Sequence, residues 1–407
     1  MKRMKKLLYL IMMLPILFLI GCSSDIGIEP DLQDTVKPEE RDEPEPEPSE
    51  ASEAIIEPEE DTDPEKDTEP DTGTEVITDP SGELTDEEAN IQRFGFIDAH
   101  ADTISRALQL GQGQQDLFDN STLHIDFKRL SEFDAPVQVF VAWCEGKYVP
   151  MAFEQTNRMF DFFEQEVAKN SELVEIALDL EDIRRISSEG KISAILAIEG
   201  GEALMGSIAN LEHFFNRGVR ILGLTWNREN ELGFGQATGS GQGLKPFGIE
   251  CVQKMDELGM IVDVSHLNEA GFWDVHKTST RPYMASHSNT YSILQHNRNL
   301  KDDQITAIVE SGGIIGFNMY PAFITSNRTA VIDDIMTHFK HFIQIGAGSN
   351  IGLGCDFDGI DSTPEGITNV SSLKMFEESL SEEFNEETSY KIMEGNFYDF
   401  FKRYFEG

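Results

Sequence analysis

Residues 91–407 predict an α/β chain folded as a (β/α)8, TIM-like barrel, and three observations carry that prediction. Eight short runs rich in Val, Ile, Leu, Phe and Gly recur at roughly 94–100, 135–144, 192–199, 218–226, 259–266, 281–288, 312–319 and 350–358. They are nearly continuous in apolar character, as parallel strands covered on both faces should be. Most are joined by segments of helical period, and eight strands alternating with helices are what such a barrel requires. The runs also end on polar residues at the same end, and in these barrels the C-terminal strand ends carry the functional groups.

Taken from the N-terminus, residues 1–22 combine Lys2, Arg3, Lys5 and Lys6 with an apolar stretch from Leu7 to Ile20. That stretch is short for a membrane span and reads as an export signal. Leu19-Ile20-Gly21-Cys22 resembles a bacterial lipobox, which implies cleavage before Cys22, a lipid anchor on that cysteine and an extracytoplasmic location on the cell membrane.

Residues 23–90 hold 27 Asp or Glu against three Lys or Arg, and nine of the sixteen prolines. Few large apolar side chains are present to offset the entropy of ordering, so a disordered, self-repelling tether is expected. As a coil it would span roughly 45 Å.

Within 91–407 the strand-like runs alternate with helical segments such as Met151–Asn170 and Ile332–Gly348. LGMIVDVSH, SGGIIGFNM and GSNIGLGCDFDG each begin at a helix-ending glycine or turn and finish on polar residues. SSLKMFEESLSEEF and NEETSYKIMEGNFYDFFKRYF read as two amphipathic closing helices packed on the outside of the barrel. GFGQATGSGQGL, residues 233–244, lacks the Gly-Lys-Ser/Thr ending of a phosphate loop and reads as a mobile loop beside the site.

The acidic part 91–407 carries a net charge of −22 out of −42 for the chain, which argues against nucleic-acid partners. Cys144, Cys251 and Cys355 have no disulfide-framework spacing, so the core must hold the domain together. No Gly-x-Ser-x-Gly elbow supports serine hydrolysis.

Five residues at run ends are candidate metal ligands: His100, Asp102, Glu199, His266 and His287. A strand sends alternate side chains to one face, so the His-x-Asp of FIDAHAD can aim both residues at one ion. A second ion fits nearby if Glu199 bridges. Each piece has an ordinary structural explanation: a polar strand end, satisfied core histidines, or a buried carboxylate capped by the glycines after Glu199. The shared position at one end of the runs favours the metal reading.

FIDAHADT, AILAIEGGEAL, GMIVDVSHLNEAGFWDV, MASHSN, NRNLKDDQI, GGIIGFN and GLGCDFDG together resemble the membrane (renal) dipeptidases, over about residues 94–405. The resemblance implies a barrel of the metal-dependent hydrolase type with two Zn2+ ions. His100 and Asp102 would hold one, His266 and His287 the other, with Glu199 bridging. It implies a metal-bridged hydroxide as nucleophile, Asp356 as the catalytic acid and base together with Glu199, and Arg298 as the group receiving a free C-terminal carboxylate. The implied substrates are short peptides, L-X and by tolerance L-D dipeptides; a homodimer is left open. One departure concerns the strand-four motif, where LTWN places Trp226 in the position of a family histidine that holds the scissile carbonyl. Carbonyl stabilisation then falls to metal, to Trp226 or to Asn227 or Asn230. Two alternatives remain: a related metal-dependent amidohydrolase acting on another amide or lactone, and a catalytically inactive exported binding lipoprotein.

Overall fold

Among the described residues, nine parallel strands form one sheet: β1 (Ile97–Ala101), β2 (Val137–Trp143), β3 (Val174–Ile176), β4 (Ile192–Glu199), β5 (Val219–Gly223), β6 (Ile261–Asp263), β7 (Met284–Ala285), β8 (Ile314–Phe317) and β9 (Ile351–Leu353). The computed structural model describes residues 93–111 and 115–406. The expected signal segment, the acidic tether and the lipidation at Cys22 lie outside the described residues.

Pairing runs β2-β1-β9-β8-β7-β6-β5-β4, and a further β2–β4 ladder closes the ring into an eight-stranded barrel. All eight expected strands are present, usually shorter than their predicted runs and inside them, except that β1 ends one residue later, at Ala101. β3 is an addition that the sequence reading did not foresee. It pairs through Val174↔Ile192 to Ile176↔Ala194 with the first half of β4, while β5 takes the second half. Three residues in LVEIAL are too few to show a strand pattern.

Longer helices separate the barrel strands, including α1 (Thr103–Leu110), α2 (Ala152–Lys169), α3 (Leu180–Ser188), α4 (Ile208–Asn216), α5 (Pro246–Leu258), α6 (Glu269–Thr278), α7 (Asp302–Glu310) and α8 (Ile332–Gln344). α5 stops where Gly259 takes φ 74°, the left-handed cap that turns the chain directly into β6. Alternate strand residues serve two apolar layers. Phe140, Ala142, Leu196 and Ile198 join the outer layer with the helices, and Val137, Val139, Val141, Ile195 and Ala197 the inner one.

The closing helices differ from expectation. α9 (Leu373–Glu383) packs against α8 on the outside, whereas α10 (Asn396–Glu406) sends Phe397, Phe400, Phe401 and Tyr404 into the inner apolar layer. Asn396 Nδ2 donates to Ile351 O at the start of β9, Arg281 just before β7 donates to Tyr404 O, and Arg403 reaches Gly312 O before β8. α10 therefore covers the N-terminal strand ends. The i, i+3, i+4, i+7 aromatic stripe announced an amphipathic helix, but not which surface it would meet.

Candidate active site

Register fixes what stands at the opposite, C-terminal rim. Trp143 pairs with Glu199, Glu199 with Gly223, Gly223 with Asp263 and Asp263 with Met284, so these positions share one level around the barrel. His266 lies three residues after the end of β6 and His287 two after the end of β7, while His100 lies on β1. All five expected ligands and Asp356 are buried.

They converge on Glu199. Its Oε1 lies 2.9 Å from His266 Nε2, 3.5 Å from His287 Nε2 and 3.9 Å from His100 Nε2. His100 Nε2 is 3.4 Å from Asp102 Oδ2. Ligand atoms of His100, Glu199 and His287 form one group within 4.8 Å, and those of His100, Asp102 and Asp356 a second. The amides after Glu199 do not cap it: Gly200 N donates to Gly223 O and Gly201 N to Leu224 O.

The outer ring nitrogens decide what the inner ones can do. Ser286 Oγ donates to Asp263 Oδ2 at 2.5 Å, so it accepts from His287 Nδ1 at 2.7 Å and His100 Nδ1 at 3.2 Å. Asn227 Oδ1 accepts from His266 Nδ1 at 2.8 Å. With their Nδ1 protons so held, His266 and His287 present bare Nε2 lone pairs to the centre, and His100 would do the same once a metal displaced its Nε2 proton. His266 Nε2 and His287 Nε2 stand 2.9 Å apart, and His100 Nε2 and Asp102 Oδ1 are buried without a hydrogen-bond partner. A buried assembly of acceptors facing acceptors is costly unless a cation joins them, and imidazole and carboxylate donors suit zinc. The residues fit the metal.

Ionisation follows the same logic. Burial opposes the charged form of His100, but the carboxylates of Asp102, Glu199 and Asp356 outweigh it and lift the imidazole to about 10. Burial and the charges of His100 and Arg298 hold His266 and His287 well below the usual range. Burial, with Asp102 adding to it, raises Glu199 well above an ordinary carboxyl. Asp356 is pushed up to about 7 by burial, with His100 opposing and Asp102 adding; its Oδ2 accepts from Asn318 Nδ2 at 2.9 Å.

Backbone geometry is unusual at the same place. His266, Asp356 and Asp358 take φ values of 68°, 59° and 67°. Such residues persist only where their surroundings over-determine them. At Gly359 a Cβ would meet Asp102 Oδ2 at 2.3 Å and Asp356 Oδ1 at 2.4 Å, so only glycine lets the turn approach both carboxylates.

A cavity of about 570 Å3 opens over this centre, with Asp102, Glu199, His266 and Asp356 at its floor and Trp143, Trp226, Tyr320 and Phe323 among its walls. A neighbouring cavity of about 320 Å3 shares His266 and is lined by Arg298. Arg298 is buried, with its guanidinium 5.6 Å from the Phe323 ring centre, Nη2 donating to His287 O at 3.4 Å and Nε unpartnered.

The family model for membrane dipeptidase, peptidase family M19, matches residues 85–404. The chain belongs to the membrane dipeptidase family. An uncharacterized dipeptidase of Schizosaccharomyces pombe is 32% identical over 272 residues, 62% of this chain and 65% of that protein, just under two thirds of its length. A second uncharacterized dipeptidase of that yeast is 36% identical over 199 residues, 47% of this chain and 49% of that protein. Among solved structures, the metallopeptidase dipeptidase AC is 26% identical with a TM-score of 0.72, covering 77% of this chain and 99% of its own. A metallopeptidase from Rhodobacter sphaeroides, solved with a phosphinate mimic of the dipeptide L-Ala-D-Ala, shares the fold at 24% identity and a TM-score of 0.70, over 76% and 99% of the two chains.

In this member of the family, Trp226 lines the larger cavity, its ring 5.0 Å from that of Trp143 and 6.1 Å from His266. Asn227 lines it too, though its Oδ1 is committed to His266 and to Gln236 Nε2 at 3.1 Å. Asn230 is turned away, binding Leu224 O and the amides of Leu232 and Gly233. The glycine-rich loop, expected to be mobile, is tied down: Gln236 N donates to His266 O, Asn268 Nδ2 to Ser240 O and Gln242 O, and Leu244 N to Asp274 Oδ2. Asp263, Ser286 and Asn318, which orient the ligands and Asp356, went unnoticed in the sequence. Ser286 and Asn318 lie in the quoted stretches MASHSN and GGIIGFN, and only the hydrogen bonds reveal their roles.

Proposed function

We propose that this protein is a zinc-dependent dipeptidase that hydrolyses the peptide bond of short peptides with a free C-terminal carboxylate. The observation that carries the reading is the convergence of the His100, His266 and His287 Nε2 atoms and the Asp102, Glu199 and Asp356 carboxylates on one buried centre beneath a cavity of about 570 Å3. His100 and Asp102 would hold one Zn2+ and His266 and His287 a second, with Glu199 shared between them. Bound there, the pair would supply a water activated near neutral pH and a Lewis acid for the scissile carbonyl.

Around that chemistry the chain's own residues bind, orient and move a proton. Asp356, buried beside His100 and Asp102, is placed to take a proton and return it to the leaving amine. Asn318 fixes its carboxylate by donating to Oδ2. Ser286, anchored on Asp263, turns two histidines toward the centre. Trp226 and Trp143 form an apolar wall that limits water, and Trp226 brings an indole N–H in place of the family histidine. Arg298, its Nε unpartnered, would take the free carboxylate bidentately. Tolerance of a D-residue on the C-terminal side belongs to the same reading, as does lipid anchoring at Cys22 that holds the enzyme outside the cytoplasm.

The test is direct. Purified protein should hold about two zinc equivalents, and His287→Ala should lose both metal and dipeptide hydrolysis; undiminished hydrolysis by that variant sinks the assignment. A second reading, hydrolysis of another amide or a lactone, draws on one observation: Arg298 lines the smaller cavity and not the larger. Dipeptides turned over no faster than their C-terminal amides would favour it.

A further inference from the structure

One wall of the larger cavity has no part in the proposed chemistry. Arg106 stands one helical turn after Asp102 on α1, with Arg106 N donating to Asp102 O at 2.9 Å. Its side chain lines the cavity and is exposed. Arg129, Arg185 and Arg217 each hold a carboxylate, yet Arg106 makes no ion pair or side-chain hydrogen bond with any described residue.

His124 lies on the same wall. Asp358 N donates to its Nδ1 at 2.9 Å, which makes Nδ1 the acceptor and puts the proton of the neutral ring on Nε2. Burial, and among the weaker causes the nearby charge of Arg106, keep the ring from protonating. Its loop is pinned, because the Asp358 carboxylate accepts from His124 N at 2.6 Å, Ile125 N at 3.3 Å and Thr103 Oγ1 at 2.7 Å. Asp358 is thus engaged with the loop, and no hydrogen bond or ion pair joins it to Arg106. Asp361 also lines the cavity and is exposed, and no ion pair joins it to Arg106.

The wall thus offers an open guanidinium, a fixed N–H donor and a separate carboxylate. An N-terminal residue with an acidic side chain presents the complement, a side-chain carboxylate and an α-ammonium. A C-terminal residue presents two carboxylates and no ammonium. Arg298, assigned above to the C-terminal carboxylate, lines the other cavity, which shares His266 with this one. We infer that Arg106 and the His124 Nε2–H form a side-chain subsite for the carboxylate of the N-terminal residue, so that dipeptides beginning with aspartate or glutamate are the favoured substrates. This inference rests on the dipeptidase reading and names its substrate class.

The experiment compares kcat/KM of the zinc-loaded, full-length protein on L-Glu-L-Ala, L-Gln-L-Ala and L-Ala-L-Glu. L-Glu-L-Ala should exceed its neutral isostere by about 10- to 100-fold, the range of one charge-assisted pair at a partly exposed site. The preference should reside mainly in KM and shrink in high salt. Arg106→Met should bring the ratio close to one, and Arg106→Glu should invert it toward L-Lys-L-Ala. A ratio near one in the unaltered protein, or one untouched by Arg106→Met, overturns the subsite while hydrolysis of L-Gln-L-Ala leaves the dipeptidase reading standing. Preference for L-Ala-L-Glu over L-Glu-L-Ala overturns the N-terminal placement. Failure to cleave any of the three overturns the dipeptidase reading and this inference with it.

Discussion

The two ends of the barrel are built on opposite terms. At the N-terminal end, Phe397, Phe400, Phe401 and Tyr404 of α10 fill the space beneath the strands with apolar surface, and each is buried. At the C-terminal end, equally buried positions hold carboxylates and imidazoles whose lone pairs face one another, on a backbone with three non-glycine residues at positive φ. The first arrangement stabilises the fold by burial and packing. The second is costly without protons or a cation to join its acceptors, and its donor set suits a metal.

That contrast breaks most sharply at Glu199. Glu199→Gln should cut activity by about a thousandfold or more by removing the shared ligand. Melting in the presence of a chelator should show no loss of stability, because the substitution removes a carboxyl that burial and Asp102 already hold well above its usual range. A large drop in the metal-free melting temperature would mean that the rim, too, is a structural element. Phe400→Ala is the reciprocal experiment. Removing a fully buried ring should cost about 3–5 kcal/mol in urea unfolding, while the folded fraction keeps its zinc content and its kcat.

The two ends also differed in how far the sequence disclosed them. Rim residues were legible because polar groups at the ends of apolar runs contradict burial, and His100, Glu199 and His287 stand out for that reason. α10 was legible as an amphipathic helix, yet its partner was not, since a stripe of aromatics specifies a face and says nothing of which surface receives it. Ser286 illustrates a third kind of residue. Serine is common beside a strand end, and only the chain Asp263–Ser286–His287, joined across β6 and β7, shows that its hydroxyl sets two tautomers at once. Arg298, expected at the substrate carboxylate, lines a neighbouring cavity that shares His266, a placement that linear spacing does not encode.

Acid probes the rim side by another route. His338 on α8 is fully buried, its Nδ1 accepting from Thr290 Oγ1 at 2.8 Å and its Nε2 donating to Ile324 O at 2.8 Å, and burial lowers it to about 4. The unfolded chain, at about 6.5, binds this proton more readily than the folded one. The stabilisation is therefore complete above pH 6.5 and is lost as pH falls through about 4. The full swing is of order 3 kcal/mol. Urea midpoints measured at pH 7 and pH 5 should differ in the native protein and converge in His338→Gln; an equal pH slope in both would place the acid sensitivity elsewhere.

The smallest effect separates holding a ligand from orienting it. Ser286→Ala removes no metal-binding atom, but it frees His100 and His287 to adopt the other tautomer and leaves Asp263 Oδ2 without its 2.5 Å donor. Loss of such an outer partner weakens metal affinity by about 10- to 100-fold. Activity should therefore return when zinc is raised by the same factor, which no excess would achieve for Glu199→Gln. If Ser286→Ala binds zinc as tightly as the native protein, the histidines are oriented by the barrel strands themselves. The polarity of the rim would then owe less to its hydrogen-bonded surround than the structure indicates.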